Sequence, residues 1–220
     1  MRCFARWHKD NESGAFFRDQ TILQFGDSWE LRASFVLLNP GSAVPLNETD
    51  QTGFLRSQSL PFFVEPTGGE TYVEFSIDRL MNDVIRLFTS GHSGGTIKLY
   101  NLFNLKNQHS GEAMEQFSEN QSHPKMFATD QEIKFYNAPV IIASGGKAFE
   151  NARLERELAR YISLANASNL YKIASVGKES YSIAKAMPDK NGLVDSYHPS
   201  FTFKYGNSTI LGDLSHNDIS

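Results

Sequence analysis

Four polar residues of this sequence each stand at the end of a segment with the length and pattern of a strand. They are Asn39, Asn101, Ser144 and His198. In an open parallel sheet, ligands bind beyond the carboxyl ends of the strands. Amide, hydroxyl and imidazole groups donate and accept hydrogen bonds, so together they can hold a polar ligand. The pattern therefore predicts one polar crevice at the ends of several strands.

The elements that would position these residues alternate between strand and helix patterns. We predict strands at 35–38, 96–101, 139–143, 170–176 and 193–197 and helices at 72–88 and 147–166, with 178–191 as an inserted short helix and loop. Such alternation is typical of a parallel sheet covered by helices on both faces. The sequence thus predicts an α/β fold, a three-layer α/β/α sandwich with a central, mostly parallel sheet of four or five strands.

The composition limits the classes of protein to which this chain can belong. With 220 residues, 40% of them hydrophobic, we expect one domain over 1–220. No apolar run has the roughly 20 residues of a membrane span, so we expect a cytoplasmic protein without membrane contact. The single cysteine, Cys3, excludes an internal disulfide and Cys-ligated metal centres, and we expect no metal and no cofactor. A net charge of -4 means that any nucleic-acid contact needs basic residues gathered on one face.

The order of three short motifs resembles the uracil-DNA glycosylase superfamily. The run 38–41, Leu-Asn-Pro-Gly, is similar to the first motif of the mismatch-specific branch, and 198–200, His-Pro-Ser, to the last motif of the uracil-specific branch. A strand ending in Asn101 lies between them, as in that family. The family usually has Trp-Gly where Ser144 and Gly145 stand here. Residues 38–40, Asp50, Thr52 and 101–103 are also similar to a bacterial family of unassigned function that shares this fold.

The resemblance implies a role for each residue of the crevice. Asn39 would orient a water molecule at C1′ of the sugar, and His198 would donate a hydrogen bond to the base as it leaves. Asn101 would read the edge of the base. Phe62 would stack on the base. Gly41 stands where the uracil-specific branch has a tyrosine, which implies room for a substituent at C5 of a pyrimidine.

Further residues near the same strand ends would contact DNA. They are Ser42, Ser144, Gly145, Lys147, Ser200, Phe201 and Phe203. Phe201 or Phe203 would fill the gap that a flipped base leaves in the duplex. Each residue also has a purely structural interpretation, since Asn39 is a common turn residue, His198 precedes a proline and Phe62 could belong to the core.

We therefore expect a monofunctional DNA N-glycosylase, a monomeric hydrolase that acts on double- or single-stranded DNA and leaves an abasic site. The expected substrate is a mismatched or modified pyrimidine, such as the modified cytosine of phage DNA, in DNA repair or antiviral defence. Two alternatives stay open. One is a nucleotide- or phosphate-binding protein that uses 144–147, and the other is a non-catalytic DNA-binding protein of the same fold.

Overall fold

In the computed structural model, residues 1–89, 91–107, 109–177 and 180–201 are described. Within these residues, eight strands form one mixed sheet in the order β4-β1-β2-β5-β3-β6-β7-β8. The strands are β1 (Arg2–Lys9), β2 (Phe16–Phe25), β3 (Leu31–Leu37), β4 (Thr71–Phe75), β5 (Gly95–Asn101), β6 (Val140–Ile142), β7 (Leu170–Gly177) and β8 (Ser180–Lys185). The helices are α1 (Thr52–Ser57), α2 (Arg79–Thr89), α3 (Ser110–Asn120) and α4 (Ala152–Leu164).

The predicted fold class is wrong in the size and the strand directions of the sheet. Strands β5, β3, β6 and β7 are parallel neighbours. The other four strand pairs are antiparallel: β1 with β2, β1 with β4, β2 with β5 and β7 with β8. The sheet is therefore eight-stranded and mostly antiparallel in its pairing, because antiparallel strands extend it on both sides of the parallel strands.

Three local predictions explain the error. Residues 72–75 form β4, which pairs with β1, and the helix predicted over 72–88 begins only at Arg79. The segment 178–191, predicted to be an inserted helix and loop, contains β8. Residues 193–197 form no strand, although the Tyr197 N–H donates to the Ile173 carbonyl of β7. No strand was predicted for the first 34 residues, which contain β1, β2 and the start of β3.

Helices cover both faces of the sheet. Alternate residues of β3 point to opposite faces, so Phe35 joins a cluster with α2, whereas Val36 joins a cluster with α3 and α4. The helix α2 contributes Val84 and Phe88 to the first cluster. Burial of both faces fixes the register of β3, which ends at Leu37, and with it the position of Asn39 two residues further on.

Among the described residues, no helix combines the length and the apolar character needed to cross a membrane.

Candidate active site

A cavity of about 590 Å³ opens at the carboxyl ends of β3 and β6, beside the first turn of α2. Nine of the residues singled out from the sequence line it: Asn39, Gly41, Ser42, Ser144, Gly145, Lys147, His198, Ser200 and Phe201. The ends of β3 and β6 and the segment 198–201 therefore bring three distant parts of the chain to one place, at the edge of the parallel strands where ligands bind in such sheets.

Asn39 links the end of β3 to the segment that follows β5. Its side-chain nitrogen Nδ2 donates to the carbonyls of Pro40 and Asn107, each at 2.9 Å. Two carbonyl acceptors identify this atom as the nitrogen, because a side-chain oxygen could not bond to them. Both hydrogens of the amide are thereby used. The oxygen Oδ1 is the polar atom left to act on a bound molecule, and it can only accept a hydrogen bond.

His198 is held as a neutral hydrogen-bond donor. Its Nδ1 accepts from the main-chain N–H of Ser200 at 3.3 Å and lies 2.9 Å from the Ser200 hydroxyl oxygen. Since a main-chain N–H can only donate, Nδ1 carries no proton and the hydrogen of the ring is on Nε2. Burial lowers the pKa of His198 to about 4. The ring is therefore uncharged at neutral pH, with an N–H available on its other side.

The end of β6 supports His198 and offers one free hydroxyl. Gly145 has φ of +72°, and a β-carbon added to it would lie 3.2 Å from the β-carbon of His198. The Ser144 hydroxyl is buried and has no hydrogen-bond partner among the described residues. Because an unpartnered buried hydroxyl is unfavourable, a ligand in the cavity could supply the missing bond.

The cavity also contains residues that the sequence analysis missed, among them Asp78, Arg79, Asn107 and Glu150. Asp78 precedes α2, and its Oδ1 accepts from the Met81 N–H at 2.9 Å, as an N-cap residue does. An aspartate before an apolar helical pattern is the signal that could have identified it. Because the helix was predicted to begin at residue 72, Asp78 was placed inside it and was not recognised as an N-cap residue.

The space expected beside Gly41 is partly filled by Asp78. A β-carbon on Gly41 would lie 2.9 Å from the Asp78 Oδ2 atom, and among the described residues it would meet no other side chain within 4 Å. The absence of a side chain at 41 therefore accommodates a carboxylate that also lines the cavity. The sequence predicted room for a C5 substituent beside Gly41, but the Asp78 carboxylate occupies part of that room.

Two predicted base-binding residues are not among those that line the cavity. Phe62 is fully buried in a separate cluster with Phe4 and Tyr72, so its structural interpretation as a core residue holds. Asn101 is 4% exposed, and its main-chain carbonyl accepts from the Tyr161 hydroxyl at 3.0 Å. Phe203, a predicted DNA-contact residue, lies outside the described residues.

Opposite charges are balanced around the cavity. Arg79 and Lys147 contribute two cations, and Asp78 and Glu150 contribute two carboxylates. In the described part of the chain, no three His, Cys, Asp or Glu side chains come together as metal ligands. The polar groups that line the cavity are an amide, a neutral imidazole, hydroxyls, two carboxylates and the cations of Arg79 and Lys147.

Comparisons with known proteins identify no relative of this chain. No protein-family model, no curated protein and no solved structure matches this chain. Inference about function therefore depends on the geometry of the cavity.

Proposed function

We propose that this protein is a DNA N-glycosylase, which flips a modified or mismatched pyrimidine into the cavity and hydrolyses its bond to the sugar. The observation that carries the proposal is that Asn39 and His198 line one cavity with complementary free atoms. Asn39 presents an acceptor, Oδ1, and neutral His198 presents a donor, Nε2–H. Hydrolysis of an N-glycosidic bond requires both kinds of group.

The reaction passes through a sugar with oxocarbenium character while negative charge develops on the leaving base. Asn39 Oδ1 accepts a hydrogen bond from water and holds it against C1′. His198 Nε2–H donates to a base oxygen as that oxygen becomes anionic. A neutral imidazole with a low pKa remains a donor throughout and needs no proton from solvent. Loss of one such donor typically costs about 100- to 1,000-fold in rate.

The dimensions of the cavity support a nucleotide-sized ligand. Its volume of about 590 Å³ lies within the roughly 300–1,000 Å³ of small-molecule sites. Gly41 has no side chain, but the Asp78 carboxylate fills part of the space beside it, so the room for a substituent on the pyrimidine comes from the rest of the cavity. The proposed substrates accordingly include modified cytosines such as 5-hydroxymethylcytosine, and the biological role is either repair or defence against phage.

The rim of the cavity provides groups for the DNA strand. Arg79, with 84% of its side chain exposed, and Lys147 can each neutralise a phosphate. Ser42, Ser144 and Ser200 add hydroxyls, and Gly145 contributes main chain at the same edge. The ring of Phe201 is 38% exposed and lines the cavity, where it can enter the duplex as the base leaves.

The experiment that tests the proposal uses labelled oligonucleotides with uracil, a mismatched thymine, 5-hydroxymethylcytosine or its glucosylated form. Alkali cleavage reveals abasic sites. We expect cleavage at one of these bases by the wild type, a loss of at least about 100-fold in Asn39→Ala and His198→Gln, and wild-type rates in Asn137→Ala. Asn137 is exposed and precedes β6, so it lies at the opposite end of that strand from the cavity.

The same assay separates the alternatives. Retained DNA binding without cleavage of any base would favour a non-catalytic DNA-binding protein. Binding of a free nucleotide through its phosphate is supported by one observation, the unpartnered hydroxyl of Ser144 beside Gly145 and Lys147. Calorimetric titration with deoxynucleoside monophosphates tests it. Tight binding that Ser144→Ala weakens, without release of base, would favour the nucleotide-binding function over the glycosylase.

A further inference from the structure

Hydrolysis also needs a group that takes a proton from the attacking water, and neither Asn39 nor His198 can serve. An amide oxygen can orient water but is a very weak base. The Nδ1 atom of His198 already accepts from Ser200, and its Nε2 atom carries a hydrogen and has no free electron pair. The acceptor must therefore come from another residue of the cavity, and the candidates are its two carboxylates, Asp78 and Glu150.

Asp78 has one oxygen that is committed and one that is free. Oδ1 accepts the Met81 N–H at 2.9 Å and is fixed by the first turn of α2. Oδ2 forms no hydrogen bond and no ion pair with any described residue. It packs against Gly41, 2.9 Å from the position of an added β-carbon. Gly41 is two residues after Asn39, so the free oxygen adjoins the segment that carries the water-holding amide.

The surroundings of Asp78 make it a better proton acceptor for the attacking water than Glu150. Asp78 is half-buried between Gly41 and α2, whereas Glu150 is exposed. A carboxylate fixed by a helix N-terminus is held in one position, while an exposed glutamate moves freely in solvent.

Four ionisable groups act electrostatically on Asp78 or adjoin it: Cys3 on β1, Arg18 on β2, and Arg79 and Asp83 on α2.

We propose that Asp78 is the general base of the glycosidic reaction, a proposal that rests on the function proposed above. The water oxygen forms a bond to C1′, the C1′–N bond breaks, and its electron pair leaves with the base. One water proton moves to Oδ2 of Asp78 as the bond to C1′ forms. That proton then passes to the departing base, directly or through solvent, which restores the carboxylate and neutralises the base. The net reaction consumes one water molecule and releases the neutral base.

The test measures single-turnover release of the substrate base that the oligonucleotide panel identifies. Asp78→Asn and Asp78→Ser both keep an N-cap acceptor for Met81 but cannot take the proton. We expect both variants to lose at least about 100-fold in rate, with unchanged affinity for DNA and unchanged melting temperature.

Two controls make the outcome decisive. Glu115→Gln removes an exposed carboxylate of α3 outside the cavity and should leave the rate unchanged. Glu150→Gln removes the competing carboxylate. A rate for Asp78→Asn within threefold of the wild type, or a loss confined to Glu150→Gln, overturns the assignment while the glycosylase function stands. A wild type that releases no base from any oligonucleotide overturns both.

Discussion

The β-carbon of His198 lies 3.2 Å from the position that a β-carbon on Gly145 would occupy. Gly145 has φ of +72° and ψ of 177°, a backbone conformation that is essentially restricted to glycine. The end of β6 is therefore shaped around the backbone of His198. Gly145 and His198 belong to two motifs that lie 53 residues apart in the sequence (198 − 145).

Replacement of Gly145 by alanine should reduce both stability and activity. The added methyl group needs an unfavourable backbone conformation and presses on His198, so we expect a loss of about 2 kcal/mol in the free energy of unfolding. Urea denaturation measures that loss, and the oligonucleotide assay measures the effect on rate. Gly146→Ala is the matched control for stability, because no described residue comes within 4 Å of the position of its β-carbon. Equal stability of the two variants would contradict the prediction.

The low pKa of His198 should make the protein less stable in mild acid. Burial lowers this pKa to about 4, whereas an unfolded histidine titrates near 6.5. Between these pH values the unfolded state binds a proton that the native state does not. The free energy of unfolding should therefore fall as the pH drops from 6.5 to 4, by on the order of 3 kcal/mol at most.

Denaturation of the wild type and His198→Gln at several pH values isolates this contribution, since the variant lacks the titrating group. NMR titration of the imidazole measures the pKa directly. A midpoint near 6.5 for His198 would contradict the burial that the structure gives the ring.

Asn39→Asp should destabilise the protein at neutral pH. The amide donates to the carbonyls of Pro40 and Asn107, and a carboxylate would face both oxygens without a hydrogen to donate. We expect a loss of about 2 kcal/mol at pH 7. Because the folded state would favour the protonated acid, its pKa should rise, and the lost stability should return below the unfolded pKa of about 4.

Thermal unfolding of Asn39→Asp across this pH range, with the wild type beside it, tests the prediction. A variant that is equally stable at pH 7 would show that Asn39 does not hold the two segments together.

Gly41→Ala should weaken the first turn of α2 through Asp78. The new β-carbon would lie 2.9 Å from Asp78 Oδ2, so the carboxylate must turn and its bond to the Met81 N–H is disturbed. We expect a loss of about 1 kcal/mol in the free energy of unfolding. The loss should be smaller in an Asp78→Ser background, because serine is shorter and leaves room for the methyl group.

Gly53→Ala serves as the control for Gly41→Ala, because Gly53 lies in α1 with no atom within 4 Å of an added β-carbon. That variant should be at least as stable as the wild type. Additive effects of Gly41→Ala and Asp78→Ser in denaturation experiments would show that the two residues do not interact.

The strands that could be predicted from the sequence are those with continuous apolar runs. Residues 140–142 of β6 are buried, as the run Val-Ile-Ile predicts. In contrast, β1 and β2 contain Arg6 and Asp19, which interrupt the apolar pattern yet lie next to each other as an ion pair of 2.6 Å. Pairing across strands, which makes such charges compatible with a sheet, cannot be read from either strand alone.

The same distinction holds for the cavity. Asn39, Ser144 and His198 were predicted because each stands at the end of a segment predicted to be a strand. Asp78 and Asn107 reach the cavity only because α2 and the segment after β5 pack beside β3, which is a consequence of the tertiary fold. Phe62 was predicted to stack on the base, but it is a buried core residue. A phenylalanine between polar segments fits a binding role or a core role equally well, and its complete burial decides for the core.

Lys98 should make the protein more stable as the pH rises above neutral. Its side chain is fully buried in β5, and its Nζ atom lies 3.5 Å from the Gln20 carbonyl and 5.9 Å from the Phe62 ring centre. Burial in these surroundings lowers the pKa of Lys98 to about 7, against 10.5 for an ordinary lysine. Between these values the unfolded state carries a proton that the native state lacks. The free energy of unfolding should therefore rise from pH 7 to pH 10, by on the order of 4 kcal/mol at most.

Lys98→Met keeps the length of the side chain and removes the charge, so it should flatten this pH dependence and raise stability at pH 7. Lys190→Met, at an exposed position, should change neither. Chemical denaturation of the three proteins between pH 6.5 and 10 makes the comparison. Equal slopes for the wild type and Lys98→Met would mean that the amine keeps its charge in the native state. Such a charge would be held by the long contact to Gln20 and by the Phe62 and Tyr100 rings, whose centres lie 5.9 and 5.7 Å from Nζ.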